Sequence, residues 1–238
     1  MRALLSATPL PASAGLGVAR GGFCVILGVD EAGRGCVLGP MVICAASIDK
    51  FEEYKLKELG VRDSKKLTPR RREVLFEDII ALCQTYVEEI SAEDLNRLMA
   101  RHSLNEIEAM KIAELLSRAN PEKGAVVYVD SPDNVPKKFA GRIEKYFRTK
   151  ARVVSENKAD DKHVIVGAAS IVAKVTRDRI IEEIKGVVGF DFNSGYTSDP
   201  ITRSFLEAHA GDPKLRPYIR TRWNTLITVR QQKLTKYD

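Results

Sequence analysis

The chain has 238 residues, of which 44% are hydrophobic and 29% charged, with a formal net charge of +6 and a pI near 9.1. That balance is ordinary for a globular protein and long enough for one large domain or two small ones. No stretch approaches the roughly 18 consecutive apolar residues of a membrane span, and the positive charge favours a polyanionic partner without naming one.

Residues 1–22 carry Pro9 and Pro11 inside a thin apolar segment, which argues against a secretory signal; a poorly ordered, dispensable extension is expected. From Phe23 the pattern becomes strand-like and helix-like by turns. "FCVILGV" and "MVICAASI" predict adjacent strands separated by glycines. "REVLFEDIIALCQTYVEEI" carries apolar residues at helical spacing throughout, so one helix is expected there. "SLNEIEAMKIAELLSRAN" opens with a capping box, Ser103 with Glu106, and Pro121 follows its end. "GAVVYVD" predicts a buried strand, "PKKFAGRIEKYF" a helix and "ARVVSE" a strand. "HVIVGAASIVAKVTRDRIIEEIKG" predicts a long helix with Gly186 near its stop, and Ser198-Asp199-Pro200 a further helix start. The order implies an α/β domain with a helical, basic C-terminal portion. Cys24, Cys36, Cys44 and Cys83 form no CxxC pair and sit among apolar neighbours, the pattern of reduced core thiols in a cytoplasmic protein.

Asp30 and Glu31 end the first strand, and three explanations compete for them. They could be plain turn residues. "GRGCVLG" imitates a dinucleotide fingerprint, but it leads into a strand rather than a helix, and two carboxylates beside it would repel a phosphate. Alternatively the acids grip hard divalent ions such as Mg²⁺, as paired sites about 4 Å apart do. Alternation along a strand would then require the backbone to turn at Glu31 for both side chains to reach one site. Further acids are available: Asp130 ends "VVYVD", and Asp160 and Asp161, equal on spacing alone, precede the long helix, where a capping role competes.

Taken together and in order, "GVDEAGRG", "RDSKKLTPRRR", "VYVDSPD", "ENKADDKHVIVGAASIVAKVTRDR" and "NSGYTSDP" closely resemble ribonuclease HII, particularly its archaeal members, from about Cys24 to Trp223. The resemblance implies a ribonuclease H-like fold, a mixed five-stranded sheet flanked by helices with a helical C-terminal portion. It divides the chain into residues 1–22, a catalytic domain over 23–190 and a substrate-binding portion over 191–238. It implies that Asp30, Glu31, Asp130 and Asp160 hold two divalent ions, Mg²⁺ or Mn²⁺, and it prefers Asp160 to Asp161 because the family's "KAD" aspartate is the ligand. The implied activity is endonucleolytic hydrolysis of RNA in RNA–DNA hybrids, together with nicking 5′ of single ribonucleotides in duplex DNA to leave 3′-hydroxyl and 5′-phosphate ends. A monomer is expected, with no membrane association and a replication clamp as candidate partner.

By the same resemblance Gly33, Arg34 and Gly35 contact the ribose 2′-hydroxyl and nearby phosphate, and Tyr196 stacks on the ribose at the RNA–DNA junction. Only a 2′-hydroxyl separates RNA from DNA locally, so exposed backbone groups and a forked guanidinium suit that task. Lys65 and Lys66 match a motif near the substrate. Ser170 and Lys174 share a helix face as i and i+4 and are candidate phosphate contacts. Arg177 and Arg179 could be either phosphate contacts or solvated. Arg216, Arg220, Arg222, Arg230, Lys233 and Lys236 are read as a duplex-binding run. The scattered His102, His163 and His209 are assigned solvent or packing roles. Cys36 departs from the family's usual proline after GRG, which is expected to loosen the turn slightly. A non-catalytic binder of hybrids or nucleic acid and a different nuclease or transposase of the same fold are the rival readings; the intact set of acids opposes the first, and the GRG and tyrosine motifs the second.

Overall fold

The computed structural model describes residues 24–61, 64–148 and 150–223. The extension 1–22, Arg62 and Asp63 of the "RDSKK" motif, and Arg230, Lys233 and Lys236 lie outside the described residues. In chain order the elements are β1 (Val25–Ala32), β2 (Met41–Asp49), α1 (Glu53–Glu58), α2 (Pro69–Leu82), β3 (Gln84–Ile90), α3 (Ala92–Leu98), α4 (Leu104–Ala119), β4 (Val126–Asp130), α5 (Pro136–Tyr146), β5 (Arg152–Glu156), the single turn α6 (Ala159–Lys162), α7 (Val164–Val188) and α8 (Pro200–His209). The strands form one five-stranded sheet in the order β3-β2-β1-β4-β5. β1 pairs antiparallel with β2 and parallel with β4, and β4 pairs parallel with β5, so the sheet is mixed.

Alternation along the central strands feeds two cores. Ile26, Val42, Cys44 and Ala46 face α7 and α2, while Leu27, Val29, Ile43 and Ala45 face α4 and α5. α7 comes unusually close to β1 because Gly28 has no side chain: a Cβ there would lie 2.4 Å from the Ile165 backbone. A third cluster joins Val37 and Leu38, after β1, to Ile181, Ile184 and Val188 of α7 and to Phe192, Phe205, Leu206, Leu215 and Ile219 beyond it. The C-terminal portion therefore packs directly on the loop that follows Asp30 and Glu31.

One expected element differs. The stretch expected as one helix from Arg72 onward breaks at Cys83, whose backbone is extended, and "QTYVEEI" pairs as edge strand β3 with β2. Thr85, Tyr86, Val87 and Ile90 are residue types that suit a pleated, half-buried surface, and the antiparallel partner outweighs the helical spacing. The long helix ends as expected close to Gly186, at Val188, with Gly189 left-handed at φ 77°. Helix α4 starts as expected, with Ser103 accepting from the Glu106 N–H, and α8 starts on Asp199 with Pro200 in its first turn. All four cysteines are free thiols, and no helix among the described residues is long and apolar enough to cross a membrane.

Candidate active site

The acids collect where the two central parallel strands end. Val29 pairs with Val129, so Asp30 and Asp130 follow side by side, one step beyond the paired residues, on the α7 side of the sheet. Asp30 is buried; its Oδ1 accepts from the Glu31 N–H at 2.8 Å, and Ser170 of α7 hydrogen-bonds to its carboxyl group. Ser170 in turn lies 2.8 Å from the Ser64 hydroxyl, so this buried serine is engaged with an acid and a second serine rather than presented to a phosphate. Asp130 Oδ1 accepts from the Ala159 N–H at 2.7 Å, which ties the end of β4 to the turn α6.

That turn sorts the two neighbouring aspartates. Asp160 is buried, with Lys65 Nζ 3.8 Å from its Oδ2, whereas Asp161 is exposed and paired with Lys66. Lys65 is itself largely exposed and stands at the mouth of the acid cluster. No turn occurs at Glu31, contrary to the expectation: β1 runs on to Ala32, and the chain turns at Gly33, where φ is 83°. Glu31 therefore points to the opposite face from Asp30, toward α4, and the acids straddle the end of the sheet. Gly33 is required twice over, since a Cβ would also meet Arg177 Nε at 2.4 Å and the Pro40 carbonyl at 2.7 Å.

The carboxyl groups feel one another strongly. Burial, then the charges of Glu31 and Asp130, hold Asp30 well above the ordinary carboxylate range. Burial and the Glu108 charge push Glu31 up to about 8, with Arg34 opposing them. Burial and the Asp160 charge raise Asp130, opposed by the Ala159 N–H and by Lys65. Among the described residues no three ligating side chains already share one coordination sphere. The donor set nevertheless fits hard divalent cations: all the acids are oxygen ligands, and their clustered, desolvated charge is what such an ion relieves.

Beyond the acids the loop 33–36 meets the C-terminal portion. Cys36, fully buried, bridges to Tyr196, and Tyr196 makes hydrogen-bond contacts with the Cys36 side chain and the Gly33 backbone. Burial first, then its neighbours, push the Tyr196 phenol up to about 12. Gly35 is exposed, and Lys174 is paired with Asp178.

Two arginines, Arg177 and Arg220, behave differently from the expectations. Arg177 is neither solvated nor at the surface: it is buried with its guanidinium 4.9 Å from the Tyr196 ring centroid, and it donates to the Ser194 carbonyl at 3.0 Å. Arg179 lies on the surface with Glu73 and Glu77. Arg220, read from the sequence as part of a duplex-binding run, is fully buried and donates to the carbonyls of Gly39 and Arg34. Arg222 donates to the Asn96 carbonyl. His163 stacks on Tyr128 at 3.9 Å, a packing role.

Glu108 and Asn105 of α4 escaped the sequence reading. Both contact the Arg34 guanidinium, Glu108 through Nη1 and Asn105 through Nη2. The signal was present: Glu108 stands in the buried stripe of α4 beside Ile107, Ile112 and Leu115, where an acid is out of place unless something uses it.

A mixed sheet with a long helix laid across it, and acids gathered at the ends of its central parallel strands, defines a metal-dependent nuclease of the ribonuclease H type. Within that class the chain belongs to the ribonuclease HII family, whose family model matches residues 27–226. Ribonuclease HII of Archaeoglobus fulgidus is 44% identical over 210 residues, covering 88% of this chain and 98% of that protein. Ribonuclease HII of Pyrococcus horikoshii is 44% identical over 213 residues, covering 87% of this chain and 93% of that protein. Among solved structures, the PCNA:RNase HII complex from Archaeoglobus fulgidus aligns with TM-score 0.78 at 43% identity, covering 89% of this chain and 99% of that one. A Bst-RNase HIII structure in complex with Mn²⁺ shares the fold, with TM-score 0.75 at 22% identity over 91% of this chain and 72% of that one. The protein is thus a metal-dependent ribonuclease H that hydrolyses RNA in RNA–DNA hybrids.

Proposed function

We propose that the enzyme also nicks duplex DNA on the 5′ side of a single embedded ribonucleotide, leaving 3′-hydroxyl and 5′-phosphate ends. The observation that carries the metal-dependent part of this reading is the side-by-side placement of Asp30 and Asp130 just past the paired ends of adjacent strands, with Glu31 and Asp160 acting electrostatically on them. Asp30, Glu31, Asp130 and Asp160 are the residues that would hold two ions, Mg²⁺ or Mn²⁺. When bound, such ions supply activation of a water for in-line attack and charge neutralisation on the leaving 3′-oxygen.

The chain's own groups do the rest. Hydrogen bonds from the Glu31 and Ala159 N–H groups, and from Ser170, fix the two central carboxylates before substrate arrives. Lys65 draws a phosphate to the mouth of the site, with Lys66 and Lys174 adding positive charge nearby. Gly35 leaves its backbone open to the ribose 2′-hydroxyl, Gly33 sets the turn, and Arg34 forks onto the phosphate. Arg177, packed beneath Tyr196, holds that ring for stacking on the ribose at the junction.

Residues 191–238 act as the substrate-binding portion of the chain and 23–190 as its catalytic domain. The free thiols suit the cytoplasm. A sliding clamp is the proposed protein partner, on the assembly that the Archaeoglobus fulgidus relative forms with PCNA.

The test is a labelled duplex containing one ribonucleotide, incubated with Mg²⁺, with Mn²⁺ and with chelator. Cleavage on the 5′ side, dependent on metal and lost in Asp130→Asn while binding persists, is expected. Cleavage in chelator, equal cutting of an all-DNA duplex, or full turnover by Asp130→Asn would refute the reading.

A further inference from the structure

One carboxylate bordering the cleft has no part in the chemistry above. The Glu108 side chain has no exposed surface; one oxygen pairs with Arg34 Nη1, and the other, Oε1, is buried without a hydrogen-bond partner. Three residues earlier on the same helix face, Asn105 accepts from Arg34 Nη2 through its Oδ1 and donates through its Nδ2 to Asp133, just beyond β4. The guanidinium is thus gripped on both terminal nitrogens by one helix, and that grip is itself anchored to the loop after β4.

A buried carboxylate is a poor way to gain stability, because its desolvation offsets most of the pairing. This pair is also not sealed in a core: 27% of the Arg34 side chain remains exposed. Each terminal nitrogen gives one hydrogen bond to α4, so each keeps a second N–H. Arg34 also lies within the field of Glu31, so a guanidinium released by α4 has a second carboxylate to turn to.

We propose that Glu108 is a positioning residue which, with Asn105, aims the Arg34 guanidinium at the ribose 2′-hydroxyl and adjoining phosphate of the substrate. This rests on the substrate role given to Arg34 above. Glu108 touches no substrate atom; it acts through Arg34 alone, so its effect must vanish when Arg34 is absent.

The experiment measures KM, kcat and melting temperature on the single-ribonucleotide duplex for Glu108→Leu, Glu108→Gln, Arg34→Ala and both double variants. Losing a hydrogen bond to a charged group predicts a roughly tenfold rise in KM for Glu108→Leu with kcat little changed. Glu108→Gln, which keeps an acceptor oxygen, gives a smaller rise in the same direction and carries the comparison should the leucine variant fail to fold. In the Arg34→Ala background neither substitution adds anything further, which a purely structural role would not produce. Additive losses in the double variants overturn the proposal, as does an unchanged KM in both Glu108 variants while Arg34→Ala raises it. An unchanged KM in Arg34→Ala overturns the substrate role of Arg34 itself, and this proposal with it.

Discussion

Gly28→Ala is the sharpest probe of how the fold holds its acids. The added Cβ would lie 2.4 Å from the carbonyl carbon and oxygen of Ile165 and 2.5 Å from the Val166 nitrogen, whereas ordinary contact begins at 3.4 Å. The first turn of α7 must therefore retreat by about 1 Å. Both partners are backbone, so no side-chain rotation absorbs the overlap. Overpacking of this kind costs about 1–3 kcal/mol, and the rigidity of the contact places it at about 3 kcal/mol. For a domain of this size about 3 kcal/mol lowers the melting temperature by roughly 6–12 °C. A second effect follows, because α7 carries the serine that hydrogen-bonds to Asp30. Hybrid-cleavage kcat should drop even at temperatures where the variant is fully folded. Thermal unfolding and single-turnover cleavage measure the two effects. A melting temperature within about 2 °C of wild type would show that α7 does not bear on Gly28 and would sink the reasoning.

Tyr196→Ala should impair nicking at a single ribonucleotide more than cleavage of a long hybrid, because only the first substrate depends on stacking at one junction; equal loss on both substrates would remove the junction role. Glu106 offers a test of pH dependence away from the acids of the cleft. Hydrogen bonds from Tyr146, Arg142 and Lys145 pull its carboxyl down to about 2 from the ordinary 4.5. A depressed folded-state value adds stability above the unfolded value and loses it as pH falls through the folded one. Glu106→Gln should therefore melt below wild type at neutral pH, with the gap closing between about pH 4.5 and about pH 2. A gap that stays constant across that window would show that the carboxylate charge is not what those groups hold.

Much of the site was legible because its acids stand at strand ends. Asp30 and Asp130 each terminate a short apolar run, a local pattern. That the two runs lie side by side with Val29 opposite Val129 is a matter of topology, which no local pattern encodes. Asp160 and Asp161 are indistinguishable by spacing, and the turn α6 separates them by turning one inward and the other toward Lys66. Edge strand β3 was hidden because its apolar residues keep helical phase with α2, and only pairing with β2 breaks that phase. Charge misled most. Arg177 and Arg220 look like surface contacts in the sequence, yet both are buried on backbone carbonyls, Ser194 for the first and the distant Gly39 for the second. Glu108 was overlooked for the converse reason, since an acid on a helix is ordinarily solvated and its reason for burial sits 74 residues away at Arg34.

Arg220 has a consequence for the order in which the enzyme becomes complete. Its guanidinium holds the carbonyl of Arg34 across 186 residues of sequence. A ribosome-bound chain that stops short of residue 220 contains every acid of the cleft, yet the turn beside them lacks its prop. That prop is therefore supplied only once residue 220 has been synthesised.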